Sequence, residues 1–272
     1  MKSKSRGVQS VDIGGRLLEA LVSSSRPMML KDLAAQAEIG PSEAHVYLTS
    51  FRKLGFVEQD RATGQYRLGP FAMRLGMARL RSDLPLKMGS DATADLCARL
   101  GVTVTMIVWG SGAPTVIQVQ EGPEEININM REGRIFGVTN TVTGWVFAAF
   151  GDQALIRERI AVELAERHWR DAQEQQDFVA KFEAAVALTR QQGYAHAVGI
   201  TLPGMAAISA PVLGPSKELL FALTLVGREA TLGTEPVSRA VQTLLASARS
   251  ISENLVAPPD ERPKAGRAKL HA

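Results

Sequence analysis

The side chains best placed to do chemistry lie in one segment, Ser42 to Leu54, in which apolar residues recur at helical spacing. The apolar face would bury Ala44, Leu48, Phe51 and Leu54. The other face carries hydroxyl, imidazole and cationic groups that can bond to DNA bases and phosphates. The predicted DNA contacts are Ser42, Glu43, His45, Val46, Thr49, Ser50, Arg52 and Lys53. This pattern indicates a helix that lies in a DNA major groove; the alternative is a polar face that is only solvated.

The flanking residues predict the scaffold that would hold this helix. Two helices precede it, over Gln9–Ser24 and Met29–Ala37, followed by a Gly40-Pro41 turn, with Ser42 as the expected helix cap. The first helix would bury Val11, Leu17, Leu18, Leu21 and Val22. Two short strands follow, Phe56–Gln59 and Gln65–Leu68, joined by the turn Asp60–Gly64. Three helices and a hairpin in this order predict a winged helix-turn-helix.

Three further cations are predicted to contact DNA from this scaffold. Arg61 and Arg67 lie in the hairpin wing and Lys31 lies near the start of the second helix, where each could meet a phosphate or be an ordinary surface cation. Residues 1–81 carry 13 Lys and Arg against 7 Asp and Glu, a net charge of +6, whereas residues 82–257 carry 14 against 19, a net charge of −5. A basic head on an acidic body is typical of a polyanion-binding module fused to a second domain.

The rest of the 272-residue chain is long enough for a second, larger domain. A helix over Phe71–Arg81 carries an apolar stripe that is expected to pack on another surface, often a second copy of the chain. From Leu84 to Val256 strands alternate with helices in a pattern that favours an antiparallel sheet. We therefore predict an α+β protein with a DNA-binding domain over 1–69, a linker and dimerisation helix over 70–83, a second domain over 84–257, and a disordered basic tail over 258–272.

Composition narrows the location of the protein. Cys97 is the only cysteine, so no internal disulfide can form, which fits a reducing compartment. No apolar run reaches the roughly 18 residues that span a bilayer, and the basic amino terminus lacks the apolar segment of a secretory signal. We expect a cytoplasmic protein with no membrane partner.

Catalysis has little support in the sequence. His45, His168, His196 and His271 show no metal-type spacing, and Cys97 is expected to fill core space on an amphipathic helix. Neither a Gly-rich phosphate loop nor a His-Glu-x-x-His motif is present. We predict no catalytic residue, no metal and no cofactor; an enzyme domain with a regulatory DNA-binding head is the alternative.

A series of short motifs resembles the IclR-type bacterial transcriptional regulators in order and spacing. In the first domain they are Gln9-Ser10-Val11, Leu30-Lys-Asp-Leu-Ala34, the Ser42…His45 helix, Leu54-Gly-Phe-Val-Glu58 and Tyr66-Arg-Leu-Gly-Pro70. In the second they are Asn140-Thr141…Gly144, Gly193-Tyr194-Ala195 and Ala210-Pro211-Val212. The resemblance extends over nearly the whole chain to about residue 256.

This resemblance implies a winged helix-turn-helix, a linker helix used in dimerisation and a GAF-like effector-binding domain. It implies a homodimer or homotetramer that binds double-stranded operator DNA, more often as a repressor, under control of a small organic and often carboxylated effector. Two alternatives stay open: a ligand-dependent activator, and a DNA-bound protein with no ligand because Trp and Met side chains fill its pocket.

The resemblance also implies which residues contact the effector. They are Met106, Trp109, Met130, Thr139, Asn140, Thr141, Gly144, Ala197, Ala207, Thr224 and Val226. Several depart from the family pattern: Ala207 replaces the usual cysteine, and Ala197-Val198 replaces an Asp-Asp pair. The loss of thiol and acid groups favours a larger or aromatic effector. In the recognition helix Val46 stands where the family usually has Arg, and because Val cannot make a bidentate contact to guanine, the operator should differ.

Overall fold

A computed structural model describes residues 7–24, 26–110, 112–123, 130–200 and 203–256. The chain forms two compact units, Met1–Asp83 and Leu84–Ala272. The predicted tail over 258–272 lies outside the described residues.

The first unit is built from short helices and a hairpin. Its elements are α1 (Gln9–Ser23), α2 (Leu30–Gln36), α3 (Pro41–Leu54), β1 (Val57–Gln59), β2 (Tyr66–Leu68) and α4 (Pro70–Ser82). β1 and β2 pair antiparallel, with Glu58 opposite Arg67. This arrangement confirms the predicted winged helix-turn-helix.

One apolar cluster holds α1, α2 and α3 together. Leu17, Leu33 and Leu48 supply one fully buried side chain from each helix. Gly14 of α1 lies against the ring of Phe51, and a Cβ at Gly14 would stand 2.8 Å from Phe51 Cζ. This close approach explains a glycine inside a helix, where it costs about 1 kcal/mol relative to alanine.

Two details of α3 differ from the sequence-based expectation. Ser42 does not cap the helix: Gly40 is the N-cap residue and makes no side-chain hydrogen bond, and Pro41 opens the first turn, where its fixed φ suits a helix. Leu54 is 62% exposed because the helix ends there, at the left-handed Gly55, beyond the edge of the core.

The buried stripe of α1 is also narrower than predicted. Val11 and Val22 are 69% and 56% exposed. The buried residues of α1 are Gly14, Leu17, Ala20 and Leu21. They lie on the side of the helix that contacts α2 and α3, and Val11 and Val22 lie outside that side.

The second unit is a sheet with helices on both faces. Its elements are α5 (Leu84–Leu100), β3 (Thr103–Gly110), β4 (Ala113–Gln120), α6 (Val142–Phe150), α7 (Gln153–Glu166), α8 (Ala172–Gln192), β5 (Ala195–Val198), β6 (Met205–Leu213), β7 (Leu219–Arg228) and α9 (Arg239–Val256). The five strands lie in the order β4-β3-β7-β6-β5, and every neighbouring pair is antiparallel. The predicted α+β class with an antiparallel sheet is confirmed.

Each face of this sheet has its own core. Successive side chains of a strand point to opposite faces. In β3, Met106 packs in the cluster that includes residues of α5 and α9, whereas Ile107 packs in the cluster that includes residues of α6 and α8. The parity of a strand residue therefore decides which of the two cores it enters.

Candidate functional site

Helix α3 presents its polar face to solvent. Seven of the eight predicted DNA contacts on α3 are exposed: Ser42, Glu43, His45, Val46, Ser50, Arg52 and Lys53. Thr49 is half-buried, and Ala44 and Leu48 on the opposite face have no exposed surface. The Ser50 hydroxyl donates to the Val46 carbonyl at 3.2 Å, which leaves its oxygen able to accept. The face can thus approach DNA without rearrangement of the core.

The cations around α3 fall into two groups. Within the described residues Lys31, Lys53 and Arg61 make no hydrogen bond or ion pair. By contrast, Arg67 holds Glu58 across the wing through two 3.1 Å hydrogen bonds, and Arg52 donates to Gln59 Oε1 at 3.0 Å. Arg52 and Arg67 therefore brace the wing, and the first three cations are the ones available to phosphates.

The turn of the wing is ordered by Asp60. Its Oδ1 accepts from the backbone N–H groups of Ala62 and Thr63, both at 2.8 Å. Both hydrogen bonds lower the pKa of Asp60 below its ordinary value, and the one from Thr63 has the larger effect. Asp60 thereby fixes the turn that carries Arg61.

A cavity of about 60 Å³ lies in the second unit, on the α6 side of the sheet. The strands contribute, among others, Thr105, Ala207, Thr224 and Val226. The segments outside the sheet contribute apolar side chains, two threonines and one cation, Arg134. The remaining lining residues are Met130, Phe136, Thr141, Val142, Thr143, Ala197, Ile200, Met205 and Ala206. A small cavity of this kind can hold one end of an organic molecule.

A chain of buried hydroxyl groups forms the polar part of the cavity wall. Thr224 Oγ1 donates to Ser209 Oγ at 2.8 Å and lies 2.9 Å from Thr143 Oγ1. Thr105 Oγ1 donates to the Thr224 carbonyl at 3.4 Å. All four residues are less than 9% exposed. A hydroxyl can donate and accept, so this chain can bond to a donor or an acceptor atom of a ligand. The cavity is therefore not fully apolar, whereas the alternative of a protein without a ligand would predict a fully apolar one.

Six of the predicted effector contacts line the cavity: Met130, Thr141, Ala197, Ala207, Thr224 and Val226. Thr139 and Asn140 instead line a wider groove beside it. The hydroxyl of Thr139 is already bonded to Glu163 Oε2 at 2.8 Å.

The structure places three other predicted contacts away from the cavity. Met106 lies on the opposite face of the sheet, in the core with α5 and α9, because its parity in β3 points it there. Trp109 packs on Phe147, with ring centroids 5.7 Å apart, and does not reach the cavity lining. Gly144 has its N–H bonded to Thr141 Oγ1 at 2.9 Å, so it cannot donate to a ligand.

Gly144 has a packing role instead. A Cβ at this position would meet the carbonyl oxygens of Gly137 and Val138. Helix α6 can start next to the preceding loop only because this residue has no side chain. The predicted site motif around Gly144 thus positions the wall of the cavity without touching its contents.

The residues missed by the sequence analysis include the carboxylate that holds this wall. Glu163 of α7 accepts from the backbone N–H groups of Val138 and Thr139, at 2.8 and 2.9 Å, and pairs with Arg159 at 2.9 Å. Its side chain is 10% exposed. The N-cap hydroxyl of Thr141 adds a 2.7 Å hydrogen bond to the Gly137 carbonyl. The 137–141 loop is therefore rigidly placed beside the cavity.

Two kinds of feature are absent from the described residues. No group of three or more His, Cys, Asp or Glu side chains is arranged to hold a metal ion among them. No helix in that part of the chain is long and apolar enough to cross a membrane.

Both units match known families. The model of the IclR helix-turn-helix domain matches residues 10–61, and the model of the C-terminal domain of the bacterial transcriptional regulator IclR matches residues 86–253. The glycerol operon regulatory protein of Streptomyces coelicolor is 28% identical over 207 residues, covering 76% of this chain and 80% of that protein.

Solved structures agree. Pseudomonas aeruginosa HmgR is 30% identical, with 93% of this chain and 100% of that chain covered and a TM-score of 0.56. An IclR homologue from Microbacterium hydrocarbonoxydans, complexed with 4-hydroxybenzoate, is 20% identical with a TM-score of 0.69, over 90% of this chain and 98% of that chain, and shows the same fold. The chain therefore belongs to the IclR family of bacterial transcriptional regulators, as its motifs predicted.

Proposed function

We propose that this regulator is a repressor that binds operator DNA through α3 and is released by a small organic acid bound in the cavity. The observation that carries the proposal is the solvent-exposed polar face of α3, beside three cations that no acidic group neutralises in the described residues. The proposed base contacts are on α3, and the proposed phosphate contacts are Lys31, Lys53 and Arg61.

The proposed DNA-bound form is a homodimer or homotetramer. Helix α4 has no buried residue, and its apolar side chains Met73, Leu75, Met77 and Leu80 are 39–74% exposed. Scattered apolar residues are normal on a surface, but four on one 13-residue helix favour an oligomer contact. Two copies would place two α3 helices on the half-sites of a pseudo-palindrome. We propose no enzymatic activity, in keeping with the regulators that this chain resembles.

The effector is proposed to be an acid with an uncharged, apolar or aromatic body. Arg134 would bind its carboxylate, since a guanidinium can make two parallel hydrogen bonds to one. Apolar wall residues such as Phe136 and Val226 would pack on the body, and the hydroxyls of Thr143 and Thr224 would bond to a polar group at its far end. The 4-hydroxybenzoate bound by a relative has this chemistry, which supports an aromatic hydroxy acid as the first candidate.

Strand β3 could transmit a movement of the cavity wall to the boundary of the second unit. Thr105 lines the cavity, while its neighbour Met106 packs on the other face against α5, where Gly89 approaches both Met106 and Phe221. Helix α5 starts at Leu84, directly after the first unit ends at Asp83. An effector that moves β3 would thus move α5, provided that it binds the two arrangements with different affinity.

The test uses the full-length protein. An operator is first selected from random DNA, and its affinity is then measured by fluorescence anisotropy with and without 4-hydroxybenzoate and a panel of related acids. We expect sequence-selective binding that an active acid weakens by about 5- to 150-fold. An acid that strengthens binding would indicate an activator, and failure to select any sequence would refute the proposal.

A further inference from the structure

A second, wider depression adjoins the cavity in the same unit. Its volume is about 690 Å³, against about 60 Å³ for the cavity. The two share four lining residues, Arg134, Phe136, Thr141 and Ile200. We call this depression the groove; its other described lining residues are Ile135, Gly137, Thr139, Asn140, Trp145, Arg167, Phe178, Lys181 and Phe182.

The charge of the groove is opposite to that of the region around it. Arg134, Arg167 and Lys181 line it, and none of its described lining residues is acidic. Yet residues 82–257 carry a net charge of −5. A positive groove on an acidic body selects anions, because low-dielectric walls concentrate the local field.

Two aromatic rings, one of them in the lining of the groove, hold one of these cations in place. The guanidinium carbon of Arg167 lies 4.1 Å from the ring centroid of Phe178 and 5.0 Å from that of Trp169. Arg167 makes no hydrogen bond or ion pair within the described residues. Glu174 is an acidic neighbour whose pKa is lowered mainly by hydrogen bonds from Arg170 and to a smaller extent by the charges of Arg170 and Arg167. Rings that cover the face of a guanidinium leave the N–H donors at its edge free. Because the side chain is already held in one position, a ligand that binds it costs less conformational entropy.

From these observations we infer that the groove binds the phosphorylated extension of an effector whose acyl or aryl end occupies the cavity. The inference rests on the proposed effector cavity and makes its ligand more specific. Because the cavity is well below the few hundred Å³ of usual ligand sites, most of a larger effector must lie outside it. An anionic extension would leave the cavity past Arg134 and meet Arg167 and Lys181 in the groove.

Calorimetric titration of the full-length protein can test the two subsites separately. The probes are 4-hydroxybenzoate, its coenzyme A thioester, the acetyl and benzoyl thioesters, and coenzyme A alone. We expect at least one thioester to bind at least tenfold more tightly than its free acid. Inorganic diphosphate should compete with that thioester and leave the binding of 4-hydroxybenzoate unchanged.

Variants locate the gain in affinity. Lys181→Gln and Arg167→Gln should each weaken binding of the thioester by roughly tenfold, the usual contribution of a charge-assisted hydrogen bond. Lys181 makes no hydrogen bond or ion pair within the described residues, so its replacement breaks no contact there. Arg249→Gln is the matched control, since Arg249 is exposed on α9, makes no hydrogen bond or ion pair within the described residues and does not line the groove. It should bind like the wild type.

The outcomes separate this inference from the proposed function. If 4-hydroxybenzoate or another free acid binds but no thioester binds more tightly than its acid, the groove is not a subsite and the cavity stands. If the gain persists in Lys181→Gln and Arg167→Gln, or is lost equally in Arg249→Gln, the extension lies elsewhere and the inference is wrong. If neither acids nor thioesters bind, both the inference and the effector cavity are refuted.

Discussion

Replacing Thr224 with valine would remove the central hydroxyl of the buried chain at the cavity without changing the shape of the side chain. Two hydrogen bonds would be lost, to Ser209 at 2.8 Å and with Thr143 at 2.9 Å. Each is worth about 1 kcal/mol net, so the free energy of unfolding should fall by about 2 kcal/mol. For a unit of this size that corresponds to a melting temperature lower by about 4–8 °C.

The assay can isolate the second unit. All three tryptophans, Trp109, Trp145 and Trp169, lie in it. Tryptophan fluorescence, excited at a wavelength that tyrosine does not absorb, therefore reports on that unit alone during urea unfolding. The slope of the free energy against urea concentration should stay unchanged, because the surface exposed on unfolding is the same.

A double-mutant cycle then checks the physical reason. In Thr143→Val with Thr224→Val both partners of one hydrogen bond are gone, so the double variant should lose less stability than the sum of the two single variants. Additive losses, or a loss below about 0.5 kcal/mol for Thr224→Val, would show that the hydroxyl chain does not stabilise the cavity wall.

Three further outcomes test other parts of the structure. Gly89→Ala should destabilise the second unit by about 1–3 kcal/mol by urea unfolding, because the new Cβ would stand 2.7 Å from Phe221 Cζ; wild-type stability would show that α5 is not in close contact with the sheet. Burial raises the pKa of the Cys97 thiol above its ordinary value, so little thiolate forms near pH 7.5. A disulfide reagent should therefore react slowly with Cys97 until guanidinium unfolds the chain. Reaction in the folded protein as fast as that of a small thiol would contradict this burial. Operator affinity should fall with salt with a logarithmic slope of about −2.7 for each DNA-binding unit, from the three available cations around α3 at about 0.9 per phosphate, and a flat response would refute those contacts.

Sequence periodicity predicted the helices of the first unit well, and its errors lie at their ends. Ala44 and Leu48 are buried as expected because they lie in the middle of α3. Leu54 fits the same helical spacing but is exposed, since burial at a helix end depends on which neighbours reach it. Periodicity also could not show that Pro41, and not a serine side chain, would open α3.

In the cavity, the errors come from long-range pairing that a single sequence does not reveal. Thr105 is the cross-strand partner of Thr224 in the pairing of β3 with β7. Directly opposed residues share a face of the sheet, so Thr105 had to line the cavity once Thr224 did. The same parity removes Met106 from the cavity. Only the knowledge that two strands more than 100 residues apart are neighbours could have supplied this assignment.

The loop beside the cavity shows a second limit. The Asn140-Thr141…Gly144 motif lies at the start of α6, where Thr141 is the N-cap residue. The carboxylate of Glu163 that holds this loop comes from a different helix. A surface-type glutamate with helical neighbours carries no sequence signal that distinguishes it from a solvated one.

The claim that α3 reads DNA is tested most directly by a Thr49→Glu variant in the operator-binding assay. Thr49 is half-buried on α3 beside the exposed Val46 and Ser50, and the longer acidic side chain of glutamate there would reach the face that meets bases and phosphates. We expect operator affinity to fall by at least about 100-fold, since such like-charge contacts cost several kcal/mol, while circular dichroism shows that the variant is still folded. Gln175→Glu, which adds the same charge on an exposed position of α8, should keep wild-type affinity. Wild-type operator affinity in a folded Thr49→Glu protein would contradict the assignment of α3 as the DNA-reading helix.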